Sequence, residues 1–307
     1  MANLAREAFD AIRSVSGSQP GHRAAHAKGR IYRGRFTATP AAGSLTRAAH
    51  MQGEPVEATV RVSNGGGRPD GDDRAKDGRG LATKFYLPDG SRTDIVAVTL
   101  PRFFVRTPEE FVPFTRARRS GLATALYLAT HPRTAVVTSS AAKGLVRPPS
   151  YANCRYNGLH AFRWIAADGS ERYVRYSWVP EAGEEQLSAE DASDRDRNFL
   201  QDEFAQRLEG GPVRFGLRLQ IARDGDPVDD PTRPWPDERE TVEAGTLEIT
   251  APDTERERGD DVLVFDPTRV TDGIELSGDR ILKFRRAVYA LSVEDRSGIV
   301  LADPDID

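Results

Sequence analysis

Cysteine is almost absent from the chain: Cys154 stands alone in 307 residues, which excludes an internal disulfide or a thiolate metal cluster and fits a reducing compartment. Also missing is any run near the roughly 18 consecutive apolar residues of a membrane-spanning helix; the stretch 122–129 is too short. Residues 1–19 carry Arg6, Asp10 and Arg13 where a secretory leader would be apolar, so no signal peptide is read and a cytoplasmic location is expected. Excess positive charge is lacking too. With 43 Lys and Arg against 47 Asp and Glu the net charge is -4, so nucleic acid is not an expected partner, nor, without a spanning segment, is a membrane. Gly65-Gly66-Gly67 is not followed by Gly-Lys-Ser/Thr, no dinucleotide fingerprint occurs, and Asp72, Asp73 and Asp77 lack the alternation of a calcium loop and read as solvated.

What is present is the composition of a globular protein, 38% hydrophobic and 29% charged, long enough for one large core. Short β-branched or aromatic runs at 31–39, 56–63, 81–86 and 94–99 read as strands, with 64–80 a Gly- and Asp-rich loop between two of them. Pro108-Glu109-Glu110-Phe111 reads as a helix start, with Phe111, Phe114 and Leu122 expected to face inward. A hairpin is predicted for 159–166 and 173–179 about Ala167-Asp168-Gly169, a helix over 188–208, strands at 213–222 and 247–250, a connection over 224–241, and a helix over 280–293. The fold class expected is α+β: an antiparallel β-barrel with flanking helices. One domain, 1–307, is read, with an N-terminal helix or arm at 1–20 and a C-terminal tail at 297–307.

Several segments, in order, resemble those of haem catalases. His26-Ala27-Lys28-Gly29, three residues after Arg23, is similar to the distal-histidine segment. Val60-Arg61-Val62-Ser63, the run from Asp77 to Tyr86, and Pro101-Arg102-Phe103-Phe104-Val105-Arg106 follow. Leu187 to Ala192, Phe265-Asp266-Pro267 and Gly273-Ile274-Glu275 lead to Arg285-Arg286-Ala287-Val288-Tyr289, which looks like the proximal R-x-x-x-Y motif. The resemblance covers roughly residues 22–296 and is greatest to the short catalase-related peroxidases.

The resemblance implies a haem b whose iron is held by Tyr289 as tyrosinate. On a helix Arg285 and Tyr289 are i and i+4, on one face, and a phenol with a free pKa near 10 needs such a permanent cation to ionise at neutral pH. His26 is the implied acid–base group for peroxide and Ser63 its hydrogen-bond partner. Arg23, Arg61 and Arg296 match residues that pair with haem propionates, and Phe103 and Phe111 look like aromatics over the distal side of the ring. His22, His50, His131 and His160 lack such context and read as surface or structural.

One position departs from the pattern. Where catalases place an asparagine three residues before the proline of Pro-x-Phe-Phe, this chain has Val98. The distal pocket then loses a hydrogen-bond donor, and peroxidase activity is expected to outweigh catalase activity. The expected partners are peroxide with a small reductant, or an organic hydroperoxide, in a homo-oligomer (dimer or tetramer). The alternatives are a hydroperoxide isomerase, lyase or other tailoring enzyme of the same fold, and a haem carrier without catalysis, which would have no need of a distal base.

Overall fold

A computed structural model of the protein describes residues 2–255 and 263–300. Nine strands are present among them: β1 Gly29–Ala38, β2 Val56–Asn64, β3 Arg79–Tyr86, β4 Arg92–Val98, β5 Tyr156–Ile165, β6 Glu171–Pro180, β7 Val213–Ile221, β8 Thr241–Pro252 and β9 Ile274–Leu276. Hydrogen bonding runs in the order β4-β3-β2-β1-β8-β7-β6-β5-β9, and a further pairing of β4 with β5 closes eight of them into an antiparallel barrel. Closure removes the edges of those eight strands and, among the described residues, leaves only the three-residue β9, paired to β5, with a free side.

Alternation fills the barrel. Along β7, Val213, Phe215, Leu217 and Leu219 are buried, while Arg214 and Arg218 point outward to Glu248 and Glu243. Phe36, Phe85, Tyr156, Trp178 and Leu247 complete the interior. Strands β2 and β3 break the alternation, being buried on nearly every residue. Both of their faces are covered, the inner by the barrel core and the outer by the segment that carries His26 at one end and by Phe265 over Lys84 at the other.

Eight helices flank the barrel among the described residues: α1 Ala2–Ser16, α2 Pro40–Leu45, α3 Pro108–Ala117, α4 Gly121–Thr130, α5 Pro132–Ala141, α6 Ala189–Ser193, α7 Phe199–Glu209 and α8 Arg280–Ser297. The start of α3 is as expected, with Thr107 as cap and Pro108 in the first turn. Its apolar side meets α1 and α8 through Phe9, Val112, Phe284 and Val288. Of the C-terminal tail, 301–307 lie outside the described residues.

Four expectations are corrected. The helix read over 188–208 is two helices, α6 and α7, because Asp196 caps a turn at Asn198 and the Arg197 carbonyl is engaged by the Asp73 amide. The strand read at 247–250 begins at Thr241, its pairing to β7 outweighing the polar start. Leu122 faces solvent, since Ser120 caps a new helix there. Asp73 is buried and not solvated: its carboxylate accepts from Lys28 Nζ (2.7 Å), Asn64 Nδ2 (2.6 Å) and the Leu200 amide (3.1 Å).

Candidate active site

One register row crosses the barrel wall. Gly29 on β1 faces Ser63 on β2, Ser63 faces Gly80 on β3, Gly80 faces Val98 on β4, and Val98 faces Asn157 on β5. Directly paired residues in antiparallel strands share a face, so two glycines flank Ser63 and leave room over the sheet. His26 occupies that room, with its Nδ1 3.0 Å from Ser63 Oγ. A Cβ on Gly80 would lie 2.8 Å from both of those atoms.

The backbone holds His26 in place. It sits at φ 55°, a left-handed conformation costly for a side-chain-bearing residue. Its amide donates to the Gly65 carbonyl (3.2 Å), and that of Ala27 to Gly66 (3.0 Å). The amides of Gly65 and Gly66 both donate to the Asp77 carboxylate. Asp77, read from the sequence as solvated, is therefore the brace of the histidine loop.

Burial, then the Arg61 guanidinium, and then that of Arg285 push the His26 pKa from 6.5 down to about 4, against opposing contributions from Asp77 and the Asn64 backbone. The imidazole is thus neutral at pH 7 and able to accept a proton. Arg61 is itself buried and donates to the Ala27 carbonyl at 3.4 Å.

On α8, Arg285 donates from both Nε (3.1 Å) and Nη2 to the phenol oxygen of Tyr289. Its Nη1 lies 3.0 Å from His160 Nε2, and His160 Nδ1 lies 2.6 Å from Asp279 Oδ2. Asp279 also caps α8, accepting from the amides of Ile281 and Leu282 through its other oxygen. A chain of four side chains thus runs from the helix cap to the tyrosine. His160 is fully buried, and burial lowers its pKa despite Asp279. Of the two readings offered for it, surface or structural, burial excludes the surface one; a separation of 119 residues from Asp279 left no spacing to find its partner by.

Arg23 (2.8 Å) and Arg296 (3.1 Å) both donate to the carbonyl of Leu263, so the two arginines converge from opposite ends of the chain. The Phe103 ring lies 6.2 Å from His160, and Phe111 packs with α1 and α8. Mutual ring packing draws them there, in a cluster with Phe104. A cavity of about 560 Å³ opens elsewhere, lined by Lys143, Arg147, Cys154 and Arg155 among others, and holds none of the residues expected in the site.

Comparison with known proteins places this geometry. The family model described as Catalase matches residues 8–303. The chain is 52% identical over 301 residues to a catalase-related peroxidase of Mycolicibacterium paratuberculosis, covering 95% of each. It is 32% identical over 300 residues to a catalase-related peroxidase of Synechococcus elongatus, covering 95% of this chain and 88% of that one. The solved structure of a bacterial catalase superposes with a TM-score of 0.80 at 23% identity, and a fungal catalase gives the same values. These two share the fold, and the chain spans 58% and 61% of their lengths.

Proposed function

This chain belongs to the catalase family, and we propose that it works as a haem-dependent peroxidase, reducing hydrogen peroxide or organic hydroperoxides with electrons from a small organic donor and releasing little dioxygen. One observation carries the reading. Arg285 donates from two nitrogens to the phenol oxygen of Tyr289, while a buried His26 is fixed through Nδ1 by Ser63, so both implied poles of a haem site are built.

The family implies a haem, and we assign haem b. The residues fit it: a phenol oxygen that accepts twice from an arginine is fixed in direction as an iron ligand. Tyr289 would hold the iron; Arg23, Arg61 and Arg296 would meet the propionates, and Phe103 and Phe111 would pack near the ring. When bound, the group supplies the redox chemistry that splits the O–O bond. His26 takes the proton of one peroxide oxygen at Nε2 and returns it to the other, while Ser63 fixes the ring through Nδ1. Val98, beside Gly80 in the register row, offers no hydrogen bond to a second peroxide. The whole chain would act as one such domain, in the cytoplasm, as a homo-oligomer of two or four copies.

Oxygen release tests this. Wild type is expected to oxidise a phenolic donor with peroxide while evolving dioxygen slowly, and Val98→Asn to evolve it about tenfold faster, the worth of one hydrogen bond of about 1.4 kcal/mol. Fast dioxygen release by wild type, comparable with a catalase, would overturn the peroxidase reading. The apolar Val98 also favours a hydroperoxide isomerase, which would rearrange a fatty-acid hydroperoxide with no reductant consumed.

A further inference from the structure

From residue 111 to residue 167 the chain has no Asp or Glu, yet it carries Arg116, Arg118, Arg119, Arg133, Lys143, Arg147, Arg155 and Arg163. In a protein of net charge -4 this is a local reversal of sign. The first five of these cations are exposed and border the hairpin of α4 and α5. Arg116 meets Glu7 of α1 at 3.2 Å, and Glu109 and Glu110 lie at the start of α3, at the base of the hairpin.

The same hairpin presents bare apolar surface. Helix α4 has no buried residue; Leu122 and Leu126, four apart on one face, are 73% and 63% exposed, and Val136 on α5 is 71% exposed. These are three of the six large hydrophobic residues exposed among the described residues. Inward, α4 rests on α3 through Tyr127 and Leu128. Tyr127 stacks on His131 at 3.9 Å and meets Phe114 at 5.7 Å, and Phe114 continues through Phe104 to Phe103.

We propose that the α4–α5 hairpin docks the protein on an anionic lipid bilayer, with Leu122, Leu126 and Val136 entering the headgroup layer and the surrounding arginines meeting lipid phosphates. Ten-residue helices cannot span a bilayer, but amphipathic surface attachment requires only apolar side chains and cations together. The expectation of no membrane partner rested on the lack of a spanning segment, which surface attachment does not need. A second copy of the chain is a poorer occupant, because two-fold pairing of this face would set one group of arginines against another. Docking depends neither on haem nor on peroxide turnover.

Co-sedimentation of the full-length protein with phosphatidylcholine vesicles, with and without phosphatidylglycerol, tests the proposal. Wild type is expected to pellet with the phosphatidylglycerol vesicles and to be released by salt. Arg118→Gln/Arg119→Gln should weaken binding about thirtyfold, and Leu122→Asp/Leu126→Asp should abolish it, with far-UV circular dichroism and turnover of a soluble peroxide unchanged in both. Equal pelleting with the two vesicle types, or none, would overturn the proposal. So would sedimentation equilibrium showing wild type associated and Leu122→Asp/Leu126→Asp monomeric, since a second copy would then cover the face.

Discussion

His26 pays for its position with a left-handed backbone, and the residues around it show what keeps it there. Two backbone hydrogen bonds to Gly65 and Gly66 and the Asp77 brace hold the loop, while the ring lies over Gly80. Gly80→Ala would force the methyl group into the His26–Ser63 pair. Displacement of a catalytic group by about 1 Å can cost about 100-fold in rate, and a loss of that order is expected in peroxide turnover. The folded content seen by circular dichroism should remain. His26→Ala should show a similar or larger loss; full turnover in His26→Ala would show that His26 is not the proton shuttle, and in Gly80→Ala that the ring does not depend on Gly80 as its floor.

At the scale of elements, α8 is held at its start by the residue that begins the chain to Tyr289. Asp279 uses one oxygen for the cap and the other for His160. Loss of an N-cap costs about 1 kcal/mol, and leaving a buried polar group unpaired costs about 1–3 kcal/mol more. Asp279→Ala is therefore expected to lose about 2–4 kcal/mol in urea denaturation. Asp279→Asn keeps an acceptor for the cap but sets an NH2 against His160 Nδ1, which donates because Nε2 faces Arg285, so it should lose only the buried bond, about 1–3 kcal/mol. Because His160 also touches Arg285, the visible spectrum of the haem-loaded protein should shift in Asp279→Ala, as it should in Tyr289→Phe. An unchanged spectrum in Asp279→Ala would break the link between the helix cap and the ligand.

For the whole molecule, buried imidazoles set an acid limit. His50, enclosed by Phe36 and Phe85, has its pKa pushed by burial from 6.5 to about 3, and His26 titrates near 4. Both bind protons more readily in the unfolded chain, so stability is fully present above pH 6.5 and falls as pH drops towards 4. Each contributes on the order of 3 kcal/mol to that fall. Urea denaturation at pH 7 and pH 4.5 should show a large loss for wild type and a smaller one for His50→Leu; equal losses would remove His50 from the account.

Much of this was legible in the sequence because it is local. Alternation marked most of the strands, Pro108 and its acids marked α3, and the four-residue spacing of Arg285 and Tyr289 put them on one helical face before any coordinates. Ordered motifs named His26, Ser63 and Val98 as one site, and the register row brings the last two to one face. What remained hidden depends on separation along the chain. The pairing of β4 with β5, the use of Gly80 as the floor under His26, the brace from Asp77, and the contact of His160 with Asp279 join residues whose spacing carries no period. The meeting of Phe103 with His160 was hidden for the same reason, since ring packing among neighbours decides where such side chains point. Local pattern determines which elements form; which buried groups meet is decided only when the barrel closes and the helices pack on it.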